Sequence, residues 1–120
     1  MTTNFTDQEW LDARREMTQV LIGRARQGRP IAYSEVVKHV RSISLDYYDP
    51  LLNKMLGEIS ESEDRQGRGM LTVLVVYKDG DMKPGPGFFE LATRLGRDAS
   101  DELACWVAEY EYVTRYWQQH

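Results

Sequence analysis

The sequence predicts an α+β fold: a mostly helical single domain over residues 1–120, with a small antiparallel sheet in a winged-helix-like arrangement. Two observations carry that expectation. About five segments space their apolar residues as helices do, while one valine-rich run, residues 71–77, reads as a strand. A chain of 120 residues with 42% apolar and 28% charged side chains suits one globular core rather than a disordered coil. At this length about 65% of the unfolded surface becomes buried, enough for a modest core.

The first helix is signalled by Thr6 and Glu9, a capping-box pair, with Asp7 and Glu9 at the positive end of the helix dipole. Trp10, Ala13, Met17, Val20 and Leu21 then form one apolar face, and Gly28 and Pro30 stop the helix. Ile31, Ala32 and Tyr33 read as a short strand, and Ser34 as the N-cap of a short helix through Val36, Val37 and Val40. Asp49 before Pro50 starts a stronger helix, because the cap accepts an orphan N–H and proline needs none at the first position. Leu51, Leu52, Met55, Leu56 and Ile59 make its buried face, and the charged run at residues 61–65 reads as its solvated end.

Residues 71–77 are apolar except Thr72, so the strand should be buried on both faces and central in its sheet. Asp79-Gly80 favours a tight hairpin turn, and residues 81–83 read as a short return strand limited by Pro84 and Pro86. Residues 88–95 read as a helix closed by Gly96. The last helix is expected to start from a cap at Ser100, with Leu103, Trp106, Val107, Tyr110, Val113 and Trp117 on one side, and to dock its Trp106, Tyr110, Val113 and Trp117 face on the core. Cys105, Tyr112 and Tyr116 fall on a narrower stripe roughly opposite.

The net charge of −4 is unevenly spread. Acidic and basic groups balance through residue 97; beyond it Asp98, Asp101, Glu102, Glu109 and Glu111 face Arg115 alone. An acidic total opposes tight non-specific nucleic-acid binding, but Arg24, Arg26, Arg29, Lys38 and Arg41 form a local basic group that could grip phosphates weakly. The alternative use of these charges is to solubilise a helix end. No apolar run reaches the ~18 residues that would span a bilayer. The first seven residues lack the basic-then-apolar layout of a signal peptide, and one cysteine permits no internal disulfide, so the expected location is cytoplasmic.

The most unusual stretch contains Lys83, Pro84, Gly85, Pro86, Gly87 and Phe88, a ligand-loop candidate. Its prolines fix φ and its glycines permit conformations other residues avoid. At a helix start it would offer N–H groups to an anion; as a plain connector it would only join hairpin to helix while its phenylalanines fill the core. It lacks the Gly-Lys-Ser/Thr ending of a phosphate-binding loop. Cys105 has no histidine near it and reads as a small packing residue, and His39 as a surface side chain. Neither a catalytic constellation, a metal site nor a cofactor motif is legible, and Tyr112 and Tyr116 stand as interface candidates because tyrosine is enriched in contact surfaces.

The block from Arg68 through Gly69, Met70 and the valine run to Lys78, followed by Pro84-Gly85-Pro86-Gly87-Phe88-Phe89, resembles a family of small bacterial proteins of unknown function. The likeness extends over residues 31–117 and brings no activity with it. A similar strand and loop accompany some nuclease-associated domains, which implies a DNA-processing or defence setting. More loosely, Gly28, Tyr33 and Val36 or Val37, with the Lys78-Asp79-Gly80 turn, resemble the winged-helix part of alkyltransferase-like proteins. The Pro-Cys-His-Arg segment of that family is missing, so alkyl transfer is not implied. The expectation is therefore a non-catalytic module that binds a protein partner or itself, with nucleic-acid binding as the alternative.

Overall fold

The structure is a computed structural model, and it describes residues 5–78 and 83–120. Helix α1 spans Asp7–Gln27, and both halves of its capping box form: the Glu9 N–H donates to Thr6 Oγ1 at 3.1 Å and the Thr6 N–H to Glu9 Oε1 at 2.8 Å. Gly28 ends it at φ 66°, a left-handed conformation that glycine adopts without strain. Ala13, Met17, Leu21, Ile22 and Ala25 are buried along one face.

Strand β1 is Ile31–Ala32, and α2, Tyr33–Val36, follows at once and continues as a 3₁₀ turn over Val37–His39. Helix α2 is preceded by Ala32 without a side-chain cap, two residues earlier than a cap at Ser34 would place it. The loop beyond is fastened to α1 by Glu16. Its carboxylate accepts the backbone N–H groups of Arg41 and Ser42 at 2.9 and 3.0 Å and the Ser42 hydroxyl at 2.7 Å. These bonds, led by that of the Ser42 N–H, hold the Glu16 carboxyl below its ordinary range. The folded group thus titrates below the unfolded one, so its stabilisation is complete above the ordinary carboxylate range and disappears as pH falls through the lowered value. The urea midpoints of wild type and Glu16→Gln should accordingly separate on going from acid to neutral pH. Curves that stay parallel would contradict the tether.

Helix α3, Pro50–Arg65, starts as expected, with Asp49 accepting the Leu51 N–H at 2.9 Å. Its buried face continues past Ile59 to Ser60 and Glu63. The charged run is therefore no solvated end: Glu63 is buried against Arg68, Asp64 lies 2.6 Å from Arg97, and Glu61 faces Arg94 at 3.6 Å.

The centre of the molecule departs most from expectation. Leu71–Leu74 is a 3₁₀ turn, and strand β2 is only Val75–Val76. The two strands pair in parallel, Ile31 opposite Val75 and Ala32 opposite Val76, with α2 and α3 in the crossover. The antiparallel sheet is thus wrong, and the winged-helix arrangement that depends on it is not supported. The hairpin turn and most of the return strand fall on residues 79–82, outside the described residues. The physical reason for the 3₁₀ turn is visible in its hydrogen bonds. Glu109 accepts the Met70 N–H at 2.8 Å, Ser60 Oγ accepts the Thr72 N–H at 3.2 Å, and the Trp106 indole donates to the Val73 carbonyl at 3.0 Å. Side chains from neighbouring helices thus satisfy backbone groups that a strand would have paired with another strand. Burial was read correctly for residues 71–76, with Leu71, Val73 and Leu74 fully enclosed between α1, α3 and the last helix. Tyr77, however, is 46% exposed, and β2 is not central, because among the described residues the sheet has only two strands.

Helix α4 spans Pro86–Arg94 and α5 spans Glu102–Gln118, capped by Asp101 rather than Ser100. The buried face of α5 is Cys105, Glu109, Val113 and Thr114, with Trp106, Tyr110 and Trp117 packed beside it. Leu103 and Val107, on the side read as apolar, are 62% and 40% exposed, and Cys105, expected on the opposite stripe, is buried. The helix is rotated because Glu109 turns inward to meet Met70 and Arg97, whose guanidinium bonds it at 3.0 and 3.1 Å.

Candidate binding surface

Tyr33 opens α2 just after β1, and Tyr77 follows β2, so the parallel pairing brings the two tyrosines together. Their ring centroids lie 4.6 Å apart with planes inclined at 35°. Tyr33 is buried, whereas Tyr77 is 46% exposed. Burial pushes the Tyr33 hydroxyl up more than the Gly85 N–H draws it down, so it is a neutral phenol at physiological pH.

The Pro-Gly loop is built onto this pair. The Gly85 N–H donates to the Tyr33 hydroxyl at 3.0 Å, and the Tyr77 N–H donates to the Lys83 carbonyl at 2.8 Å. A side chain at Gly85 would sit 3.1 Å from both tyrosine hydroxyl oxygens, so glycine is what permits the close approach. Pro84 and Gly85 are buried, Lys83, Pro86 and Gly87 are exposed, and Phe88 packs edge-on against Phe89 inside the core. The connector role of the loop is therefore built in, and the tyrosine contacts account for Gly85.

Two clefts meet at the tyrosine pair. One, of about 190 Å3, is lined by Tyr33, Tyr77, Gly85, Gly87, Phe88 and Arg94 among others. The other, of about 230 Å3, is lined by Tyr33, Ser34, Tyr47, Tyr77 and Lys78. Tyr47 and its neighbour Tyr48 are 53% and 72% exposed, their rings in edge contact at 5.1 Å.

The other sequence-derived candidates lie elsewhere. Arg24 donates to the Pro30 carbonyl at 2.9 Å and pairs with Glu35 at 3.2 Å. Arg26 lies over the Trp117 ring at 5.5 Å and bonds the His120 carbonyl. Arg29, Lys38 and Arg41 are exposed. Tyr112 and Tyr116 line neither cleft. The Tyr112 hydroxyl donates to the Gly67 carbonyl at 2.7 Å, while Tyr116 stacks on His120 at 4.0 Å. Cys105 is buried, and burial, with Glu109 adding to it, pushes its thiol up, which suits a packing residue.

Sequence reasoning missed Tyr33, Tyr47 and Tyr77 as a set. The only local signal was the Tyr47-Tyr48 doublet ahead of the Asp49-Pro50 helix start. Among the described residues, no group of three or more His, Cys, Asp and Glu side chains is placed to hold a metal ion, and no helix is long and apolar enough to cross a membrane. No protein-family model, curated protein or solved structure matches this chain.

Proposed function

We propose that the protein is a non-catalytic binding module that captures a protein partner through its tyrosine-lined surface. The observation that carries this reading is the placement of Tyr47 and Tyr77, each about half exposed, around clefts that share the Tyr33–Tyr77 pair. Tyrosine offers a large apolar body with a polar tip and few torsions to immobilise, which is why it is enriched at binding hot spots. Kinship with the small bacterial proteins that share the valine run and Pro-Gly loop belongs to the same reading, as does a cytoplasmic setting.

Nucleic-acid binding is the second reading, carried by the exposed Arg29, Lys38 and Arg41. It is the weaker one, because Arg24 and Arg26 are engaged within the fold. The two readings separate in one comparison. Affinity capture from the native cell, quantified by mass spectrometry, should recover a partner with wild type and with Arg29→Glu/Lys38→Glu, and lose it with Tyr47→Ser/Tyr77→Ser. Recovery that follows the charge-reversal variant instead, and that falls steeply with salt, favours phosphate contacts and overturns the protein-partner reading.

A further inference from the structure

We infer that the cleft lined by Tyr33, Ser34, Tyr47, Tyr77 and Lys78 receives a proline-rich, acidic segment of the partner in the polyproline II conformation. This rests on the protein-partner reading above and names the chemistry of the segment captured.

The argument begins with what the tyrosine pair already holds. Gly85, between Pro84 and Pro86, has φ −71° and ψ 165°, close to the polyproline II values of about −75° and +145°. This extended residue, the N-cap of α4, lies against the hydroxyl ends of Tyr33 and Tyr77, with its N–H on the Tyr33 hydroxyl. The molecule thus seats one extended, proline-flanked residue at the hydroxyl ends of this aromatic pair. The second cleft presents the same two rings and adds the exposed ring of Tyr47.

Ligand chemistry follows from the lining. Inclined aromatic rings accept proline rings on their faces, and the fixed φ of proline means that such a segment loses little conformational freedom on docking. A polyproline II strand makes no internal hydrogen bonds, so its carbonyls need outside donors. Hydroxyl-bearing side chains, Ser34 and the tyrosines, border the cleft. Its volume, about 230 Å3, falls below the ~300–1,000 Å3 of sites that enclose a small molecule and suits a few side chains of an extended chain. Lys78 is the one charged residue in the lining, which selects a carboxylate beside the prolines.

The test uses three synthetic peptides: Pro-Pro-Pro-Glu-Pro-Pro-Pro, the same with glutamine for glutamate, and the same with alanine for every proline. Each is titrated into the isotope-labelled full chain and followed by amide NMR shifts. The acidic proline peptide should shift Ser34, Tyr47, Tyr77 and Lys78, and the alanine peptide should not. Tyr47→Ser should weaken binding about tenfold, as for loss of an aromatic anchor. Lys78→Glu, a change at an exposed position that leaves the fold intact, should erase the preference for glutamate over glutamine. Equal binding of proline and alanine peptides, or shifts confined to another face, would overturn the inference. So would concentration-dependent dimerisation that Tyr47→Ser abolishes, which assigns the cleft to a second copy. Peptide failure alongside intact, tyrosine-dependent partner capture would remove this inference alone; loss of tyrosine dependence in the capture experiment would remove the parent reading.

Discussion

Gly69→Ala should lower the unfolding free energy by about 2–5 kcal/mol, a large share of the ~5–15 kcal/mol available to a domain of this kind. Two costs add. Gly69 has φ +87°, a left-handed conformation that costs a non-glycine residue about 1–2 kcal/mol. A methyl group there would also lie 2.7 Å from Tyr112 Cδ1, 2.9 Å from Val113 Cγ2 and 3.1 Å from Glu109 Oε2. Relieving those overlaps means shifting α5 against the backbone it packs on, an overpacking cost of about 1–3 kcal/mol. Gly67 is the internal control. Its φ is +78°, but nothing lies within 4 Å of an added side chain, so Gly67→Ala should cost the conformational part alone. Urea unfolding of the two variants decides the matter, and equal losses would mean that the contact with α5 is not tight.

Arg97→Met should cost about 2–4 kcal/mol. The Arg97 guanidinium joins Asp64 of α3, at 2.6 Å, to Glu109 of α5, which it bonds at 3.0 and 3.1 Å. The Asp64 bond above all, then that of Glu109, holds its pKa above the already high arginine value, so it stays cationic at any pH where the protein folds. Removing one partner of a buried pair typically costs about 3–5 kcal/mol, because the remaining charge is left uncompensated. Glu109 fits that case at 8% side-chain exposure, but Arg97 and Asp64 are about a quarter exposed and partly screened by solvent, which lowers the figure. The diagnostic is rescue. In the Arg97→Met background, Glu109→Gln removes the stranded charge yet keeps an acceptor for the Met70 N–H, so the double variant should be more stable than the single one. A double-mutant cycle in urea checks this, and a double variant whose loss equals the sum of the Arg97→Met and Glu109→Gln losses would show that the pair is not coupled.

How much of this was legible depended on whether the deciding partner lay nearby in the chain. The start of α1 was readable because Thr6 and Glu9 satisfy each other's backbone, and the start of α3 because Asp49 and Pro50 act on the next turn. The valine run reported burial faithfully, since β-branched residues are selected for enclosure, but its backbone conformation was set by Ser60, Trp106 and Glu109. The rotation of α5 was hidden for the same reason: Glu109 counted as one of several unbalanced acids until Met70 and Arg97 were found beside it. The surface centred on Tyr33 and Tyr77 arises from a two-residue parallel pairing, too short to leave a pattern. Only the crowding of glycines and prolines at residues 84–87 announced that something approaches the backbone closely there.

The side-chain anchoring of Leu71–Leu74 has a consequence for how the molecule comes apart. Its side-chain restraints come from 12 residues away on one side and from 33 and 39 on the other, beyond the local bond from the Val73 N–H to the Met70 carbonyl. It behaves as a keystone: its folded form is held by the pieces that lean on it, α3 and α5. The middle of the protein therefore feels either helix come loose. Damage to one of those helices would spread through the centre to the other rather than remain a local fray.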